Sequence, residues 1–278
     1  MTHSLRGKTI LITGASRGIG AAIAVRAAAE GANLVLVAKT TEPDPRLPGT
    51  LGSTAEAVLA AGGQALAVPT DIRNEAAVAA AVQAAVERFG GIDILVNNAS
   101  AISLTNTSMT PMKRFDLMFS VNVRGTYCCT QACLPHLRAS AKAGRAPQVL
   151  TMSPPLNMDA RWFAPHVAYT MAKYGMSQCT LGHAAEFRRH GIAVNSLWPR
   201  TAIATAALQM IPGMDLSQCR QPEIMADAAW SLLTRPAMHA TGQFYVDDDV
   251  LRAEGVSDLD VYSVVPGTTN FIPDLFLD

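Results

Sequence analysis

Short segments rich in aliphatic and β-branched residues alternate with long alanine-rich segments along most of the chain. We predict strands at residues 9–13, 34–38, 65–68, 94–96, 148–152, 193–197 and 243–246. We predict helices between them at residues 19–30, 54–61, 75–89, 112–136 and 167–189. Strands that are separated by helices pair in parallel, because each helix carries the chain back across the sheet. The pattern predicts an α/β fold of the Rossmann type, a doubly wound parallel sheet of about seven strands.

No linker interrupts this pattern, so residues 1–278 are predicted to form a single domain. Two segments depart from the alternation. A proline-rich loop at residues 40–52 lies beside the second predicted strand, and a non-periodic tail with an apolar end begins at about residue 248. Neither segment is long enough to form a second domain.

Charge and hydrophobicity argue against several classes of protein. The 22 Lys and Arg residues balance 22 Asp and Glu residues, so no net field attracts nucleic acid or an anionic membrane. No uncharged apolar run approaches the roughly 18 residues of a membrane span, and the first predicted strand begins too early for a signal peptide. The five cysteines are odd in number, which favours reduced thiols. We therefore expect a cytoplasmic protein without nucleic-acid or membrane partners.

A glycine-rich turn, TGASRGIG at residues 13–20, joins the first predicted strand to the first helix. Glycines in this context let the backbone approach a pyrophosphate group at the helix N-terminus. A tight turn alone needs fewer glycines. The turn therefore predicts a dinucleotide site formed by Gly14, Ser16, Arg17, Gly18, Ile19 and Gly20.

The end of the second predicted strand indicates which dinucleotide is bound. Ala38 occupies the position where an NAD site usually has an acidic residue against the ribose 2′-hydroxyl. Lys39 and Arg17 are two cations that would converge on the same ribose, which suits the 2′-phosphate of NADP. The alternative is that both are solvated surface cations.

Polar residues end the third and fourth predicted strands. Asp71 would accept a hydrogen bond from the adenine amino group while the Ile72 amide donates to the ring. The alternative is that Asp71 serves only as a helix cap, although Asn74 is better placed for that role. Asn98 and Ala99 follow the fourth strand, at the sheet edge where open α/β sheets bind ligands.

Tyr169 and Lys173 lie four residues apart on a predicted helix and therefore project from one face. A phenol can act as a general acid or base, and a neighbouring ammonium group favours its ionised form. An ordinary surface pair is the alternative. Cys129, Cys133 and His136 also share a helical face, but three ligands from one helix rarely enclose zinc, so we predict no metal site.

Together these motifs resemble the short-chain dehydrogenase/reductase family over essentially the full length of the chain. The resemblance rests on TGASRGIG, Asp71, NNAS at 97–100, Asn122 and YTMAK at 169–173. It implies hydride transfer at nicotinamide C4, with Tyr169 passing a proton to or from the substrate oxygen. It also implies that Lys173 holds the nicotinamide ribose and lowers the tyrosine pKa, and that Asn122 organises a water relay. Residues along the nicotinamide and pyrophosphate would be Pro199, Thr201, Ile203 and Thr205.

The chain departs from the family pattern at the catalytic serine. The family serine usually lies thirteen residues before the tyrosine, where this chain has Leu156, and alignment by the strand puts it at Pro154. Ser153 is our candidate for holding the substrate carbonyl, although strand alternation would point it to the opposite face. Asn157 or a bulged backbone is the rival. Ser100 and Arg200 also replace usual glycines.

We therefore predict an NADP-dependent oxidoreductase acting on an alcohol/carbonyl pair of a mostly apolar small molecule. A non-catalytic NADP-binding protein is the alternative, and the short Tyr-Lys spacing argues against a C=C reductase. The loop at 154–167 carries apolar residues that either cover the ligand or pack on the core, namely Leu156, Met158, Trp162 and Phe163.

We also predict a homodimer or homotetramer. The helices bearing Cys129 and Phe187 are apolar over more of their circumference than one sheet face can cover. The family pairs its subunits through such helices. The apolar tail at 271–277 would dock either on a neighbouring subunit or within its own.

Overall fold

A computed structural model of the protein describes residues 4–45, 47–211, 213–236 and 240–278. Seven strands form one sheet in the order β3-β2-β1-β4-β5-β6-β7. They are β1 Thr9–Thr13, β2 Asn33–Ala38, β3 Gln64–Pro69, β4 Ile94–Asn97, β5 Gln148–Thr151, β6 Ala193–Trp198 and β7 Phe244–Val246. Every pair of neighbouring strands is parallel. The predicted doubly wound sheet is confirmed, and its strand order reverses between β1 and β4.

The helices predicted between the strands are present, and the structure adds three helices after β6 that the sequence pattern did not predict. In chain order the helices are α1 Gly18–Ala28, α2 Leu51–Ala60, α3 Glu75–Phe89, α4 Met112–Met118, α5 Thr126–Lys142, α6 Val167–Phe187, α7 Ala206–Gln209, α8 Glu223–Thr234 and α9 Asp247–Ala253. Asn74 caps α3 by accepting a hydrogen bond from the Ala77 amide at 3.1 Å, as expected. The tail begins with α9, whose first turn is acidic and so complements the helix dipole.

The helix predicted at 112–136 is divided. A π-helical segment, Phe119–Gly125, separates α4 from α5. It packs closely on its neighbours: a Cβ added to Gly125 would lie 2.6 Å from Ile72 Cδ1, and one added to Gly175 of α6 would lie 2.6 Å from Val123 Cγ2. Apolar periodicity did not reveal this change of winding, which is common beside functional sites.

The core has two layers because both faces of the sheet are covered. Ile10 and Ile12 of β1 pack towards α1 and α8, whereas Leu11 packs towards α3, α5 and α6. Cys129 and Cys133 of α5 lie in the second layer, against this chain's own sheet. Burial raises the pKa of Cys129 to about 12, so its thiol stays neutral.

Two features are absent from the part of the chain that the structure describes. No helix among the described residues is both long enough and apolar enough to cross a membrane. Nor do these residues bring together three or more His, Cys, Asp or Glu side chains that could hold a metal ion.

Candidate functional site

Two adjoining depressions lie at the carboxyl ends of the strands, at the edge where the strand order reverses between β1 and β4. The first is a groove of about 410 Å³ along the glycine-rich turn and the ends of β2, β3 and β4. The second is a cavity of about 320 Å³ between α6, the residues after β6 and the C-terminal tail. Ile19, Asn98, Ser100, Thr205 and Ala207 line both, so the two spaces are continuous.

The groove contains most of the predicted dinucleotide residues. Those that line it are Gly14, Ser16, Arg17, Ile19, Lys39, Asp71, Ile72, Asn98, Ala99 and Thr205. Gly14 and Gly18 have φ angles of +67° and +55°, which favour glycine. A Cβ added to Gly14 would lie 2.9 Å from both Ala99 Cα and Asn98 Nδ2. The turn therefore packs directly on the end of β4.

The Asn98 side chain fixes this contact between the two strand ends. Its Nδ2 donates to the carbonyl oxygens of Thr13 and Gly14 at 3.0 and 3.1 Å. The Thr13 hydroxyl accepts from the Asn98 and Ala99 amides, both at 3.0 Å. The turn and the N-terminus of α1 are thus held in the arrangement that suits a pyrophosphate group.

We expect Gly20→Ala to weaken dinucleotide binding and to lower stability by about 1–3 kcal/mol, because it overpacks the turn. Its Cβ would lie 2.5 Å from Asn98 Nδ2 and 2.6 Å from the Gly14 carbonyl oxygen. Gly182→Ala is the matched control, since no atom beyond its chain neighbours and the adjacent backbone of α6 lies within 4 Å of that Cβ, and α6 should gain up to about 1 kcal/mol. Cofactor titration and urea denaturation measure both effects. Unchanged binding by Gly20→Ala would contradict this account of the turn.

Arg17 and Lys39, the two cations that line the groove, differ in their contacts with the rest of the chain. The Arg17 guanidinium donates to the carbonyl oxygens of Leu47, Pro48 and Gly49 at 3.0, 3.0 and 2.7 Å, so it holds the proline-rich loop. Lys39 is exposed and forms no ion pair with any described residue.

Asp71 has a partner that the sequence did not suggest. Its carboxylate accepts from Arg73 Nε at 2.9 Å, and hydrogen bonds from Arg73 hold the pKa of Asp71 down at about 2. Asp71 is therefore a charged acceptor at the groove.

Tyr169 and Lys173 both line the cavity and are buried, with 4% and 3% of their surfaces exposed. They are thus not a surface pair. Lys173 Nζ donates to the Met152 carbonyl oxygen at 2.9 Å and lies 4.9 Å from the Trp198 ring centroid. Burial lowers the pKa of Lys173 to about 8.

The pKa of Tyr169 shifts in the direction opposite to the one the resemblance implies. Burial raises it, and Asp274 raises it further whenever its carboxyl group is ionised. The phenol therefore stays protonated, and a protonated phenol can act as a proton donor.

Asn122 is fully buried in the π-helical segment. Its Oδ1 accepts from the Ala101 amide at 2.7 Å, and its Nδ2 donates to the Ala101 carbonyl oxygen at 3.0 Å. The side chain therefore anchors the segment that follows β4. That segment lies between the groove and the cavity.

Ser153 faces away from Tyr169. It is fully buried, and its Oγ lies 2.8 Å from Ser196 Oγ, which is itself 2.8 Å from Thr180 Oγ1. Within the described chain the lining of the cavity includes the preceding Met152 but neither Ser153 nor Asn157. Met152 and Ser153 both lie beyond the end of β5, and the Ser153 amide donates to the Thr151 carbonyl oxygen at 2.9 Å, so a tight turn rather than strand alternation sets the direction of Ser153.

The segment after β6 lines the cavity. Pro199, Ile203 and Thr205 border the cavity. Thr201 is buried beside them, and its Oγ1 has no hydrogen-bond partner. Such an orphaned buried hydroxyl fits a site that a polar ligand completes. Arg200 instead forms an ion pair with Asp249 of α9 at 2.8 Å.

The loop at 154–167 packs on the core. Leu156, Trp162 and Phe163 lie against an aromatic cluster that surrounds Phe276, whereas Met158 is 73% exposed. Phe276 is buried within its own chain, with ring centroids 5.3–6.2 Å from those of Trp162, His166, Tyr169, Tyr174 and Trp198. Docking of the tail within its own subunit is therefore what the structure shows.

The tail supplies the part of the site that sequence reasoning missed. Ile272, Asp274 and Leu275 line the cavity opposite α6. Their only signal in the sequence was an apolar C-terminal end.

The comparisons agree with this geometry. A sequence model described as short chain dehydrogenase matches residues 8–212, and the chain belongs to this family. Hydroxysteroid dehydrogenase-like protein 2 from Danio rerio is 55% identical over 278 residues, which are 100% of this chain and 65% of that protein. The chain spans between about half and about two thirds of the length of the curated relatives it matches.

Solved structures agree as well. A crystal structure from Xanthomonas campestris is 57% identical, covers 99% of both chains and has a TM-score of 0.95. An NADH-dependent reductase, A1-R′, complexed with NAD is 28% identical, covers 87% of this chain and 95% of its own, and has a TM-score of 0.72. The family is one of oxidoreductases that use a nicotinamide dinucleotide, and the groove fits such a cofactor.

Proposed function

We propose that the chain is an NADP-dependent oxidoreductase that transfers a hydride between nicotinamide and an alcohol/carbonyl pair on a mostly apolar small molecule. One observation carries this proposal: Tyr169 and Lys173 are buried side by side on α6 in a cavity that opens into the dinucleotide groove. A phenol and an ammonium group in that position can serve both the substrate oxygen and the cofactor ribose.

Tyr169, Lys173 and Asn122 have separate roles in the proposed reaction. NADPH, when bound, supplies the hydride for carbonyl reduction. The Tyr169 phenol donates its proton to the substrate oxygen, and its burial excludes water as a competing donor. Lys173 holds the nicotinamide ribose. The buried Asn122 holds the segment after β4 in place beside the site, through its hydrogen bond with the Ala101 amide.

The lining of the cavity is evidence for an apolar substrate. Most of its lining is aliphatic, including Ile102, Leu104, Ala202, Ile203, Leu208, Ile211, Met214, Met225, Ile272 and Leu275. Apolar walls with a few convergent polar groups are typical of sites for small organic molecules.

The charges at the end of β2 support the proposal that the cofactor is NADP rather than NAD. The end of β2 at Ala38 has no carboxylate to repel a 2′-phosphate, and the exposed Lys39 follows it directly. Because Arg17 is already engaged by the proline-rich loop, we assign most of the phosphate recognition to Lys39.

The experiment is an assay of NADPH oxidation with ketones and aldehydes of increasing apolar chain length. We expect saturable oxidation that improves as the carbon chain fills the cavity. A non-catalytic NADP-binding protein is the second candidate, because Ser153 faces Ser196 rather than Tyr169. Tight NADPH binding with no oxidation by any carbonyl in the series, under conditions where those carbonyls bind, would favour that second candidate.

We also propose a homodimer or homotetramer. Large apolar side chains are exposed on α5 and α6, with 52% of Tyr127, 44% of Met171 and 44% of Leu181 accessible. Such exposed apolar residues on neighbouring helices suit an interface between copies of the chain. The cytoplasmic location expected from the sequence stays a prediction.

Light scattering at micromolar concentration should therefore give a dimeric or tetrameric mass. Leu181→Lys should shift the protein towards monomer, because it places a charge in an apolar interface. Leu59→Lys on α2, where the leucine is 58% exposed, is the control and should leave the mass unchanged. A monomeric starting protein would refute the assembly.

A further inference from the structure

The C-terminal tail places one carboxyl group in the cavity. Backbone hydrogen bonds fix the tail on the segment after β6: the Ala202 amide donates to the Ile272 carbonyl oxygen at 2.8 Å, and the Asp274 amide donates to the Arg200 carbonyl oxygen at 3.0 Å. Trp198 Nε1 donates to the Leu275 carbonyl oxygen at 2.8 Å. Asp274 is therefore held in place from both sides, and it lines the cavity together with Tyr169.

The Asp274 carboxyl group retains hydrogen-bonding capacity. Its Oδ1 accepts from the Leu275 amide at 2.7 Å, a contact within the tail itself. Its Oδ2 has no hydrogen bond to any other described residue, and no described cation forms an ion pair with it. A polar group that faces an apolar cavity in this way suits a ligand that supplies the missing partner.

Two other polar side chains of the cavity are already engaged. Asn98 Nδ2 donates to Thr13 and Gly14, and Thr205 Oγ1 accepts from the Leu208 amide at 3.3 Å. Pro154 stands at the strand-aligned position of the family serine, and the hydroxyl of Ser153 is bonded to Ser196. The segment after β5 thus supplies no hydroxyl to the cavity beside Tyr169, and the serine that lines the described cavity, Ser100, comes from the segment after β4.

We propose that Asp274, in its acid form, donates a hydrogen bond to the carbonyl oxygen of the substrate and so makes the contact that the serine would make. This inference rests on the proposed reductase function. During reduction the carbonyl carbon gains a C–H bond from the hydride, and the π electron pair moves to oxygen. That oxygen takes the phenolic proton of Tyr169, and Asp274 keeps its own proton throughout.

The surroundings favour the acid form. Burial raises the pKa of Asp274 to about 7, although the hydrogen bond from the Leu275 amide and then the Lys173 ammonium oppose this rise. The other titratable groups that interact with this carboxyl group are Tyr169, also on α6, and the buried Cys219 thiol. Below its pKa Asp274 donates, whereas above it the carboxylate repels the negative charge that develops on the substrate oxygen. We therefore expect kcat/KM for reduction to fall as the pH rises through about 7.

The test compares Asp274→Ala, Asp274→Asn and Asp278→Asn in NADPH-dependent carbonyl reduction. Alanine removes the donor and should lower kcat/KM about tenfold or more. Asparagine keeps a donor and an acceptor for the Leu275 amide, so it should retain most activity and lose the fall in rate near pH 7. Asp278 contacts Asn157 and Arg161 outside the cavity, and Asp278→Asn should behave like the starting protein.

Two further measurements separate this role from a structural one. NADPH affinity and the urea midpoint should stay unchanged in Asp274→Asn, while its pH profile flattens. Full activity in Asp274→Ala, or equal losses in Asp274→Asn and Asp274→Ala, would overturn the assignment of Asp274. Tyr169→Phe in the same assay tests the proposed function separately. If that variant is inactive, the proposed function stands even when the assignment of Asp274 fails. If it is fully active, the proposed function itself fails.

Discussion

Replacing Tyr169 by phenylalanine should lower turnover at least about 100-fold, as expected for loss of a general acid. The reason is chemical rather than structural. The phenol lies in the cavity, and no hydrogen bond joins its hydroxyl group to another described residue. The ring also packs against Phe276, and phenylalanine preserves that contact. NADPH affinity should therefore stay nearly unchanged, which fluorescence titration measures beside the steady-state rate.

Tyr174→Phe is the matched control on the same helix. The Tyr174 hydroxyl donates to the Asn157 carbonyl oxygen and contributes to the fold of the loop at 154–167. We expect that variant to lose about 1 kcal/mol of stability and to keep turnover close to that of the starting protein. A Tyr169→Phe enzyme that retains most of its activity would contradict the mechanism.

NADPH should bind at least tenfold more tightly than NADH. One well-made charge-assisted contact to the 2′-phosphate contributes about 1.5–3 kcal/mol, and 1.4 kcal/mol is a factor of ten in affinity. Lys39→Ala should remove most of this preference, because Lys39 is exposed in the groove while Arg17 is bonded to the loop. Ala38→Asp should shift the ratio towards NADH, because a carboxylate there repels the phosphate and accepts from a ribose hydroxyl.

The controls for cofactor choice come from outside the groove. Lys113→Ala removes an exposed cation from α4 and should leave both affinities unchanged. Titrations of both dinucleotides should be made at one ionic strength, because exposed charges are screened by salt. Equal affinities of the starting protein for the two cofactors would defeat the claim.

The sheet could be predicted from the sequence because its signals are local. The apolar run of β1 ends at Thr13, and the glycine-rich turn follows at once, so both the strand and the ligand edge were apparent. The four-residue spacing of Tyr169 and Lys173 likewise fixed a shared helical face before any packing was known.

Features that depend on distant contacts could not be predicted in this way. The π-helical segment Phe119–Gly125 fits against Ile72 and Gly175, which are far away in sequence. Engagement of Arg17 depends on the path of the proline-rich loop. The position of Asp274 depends on backbone hydrogen bonds to Arg200 and Ala202 that no periodicity encodes.

The docked tail also has a consequence for the order in which the two sites form. The residues that line the groove all lie between Gly14 and Ala207, whereas the cavity also needs residues 272–275. A ribosome makes the chain from the N-terminus, and folding can begin before synthesis is complete. The residues that line the dinucleotide groove are therefore all synthesised before the last residues that line the cavity.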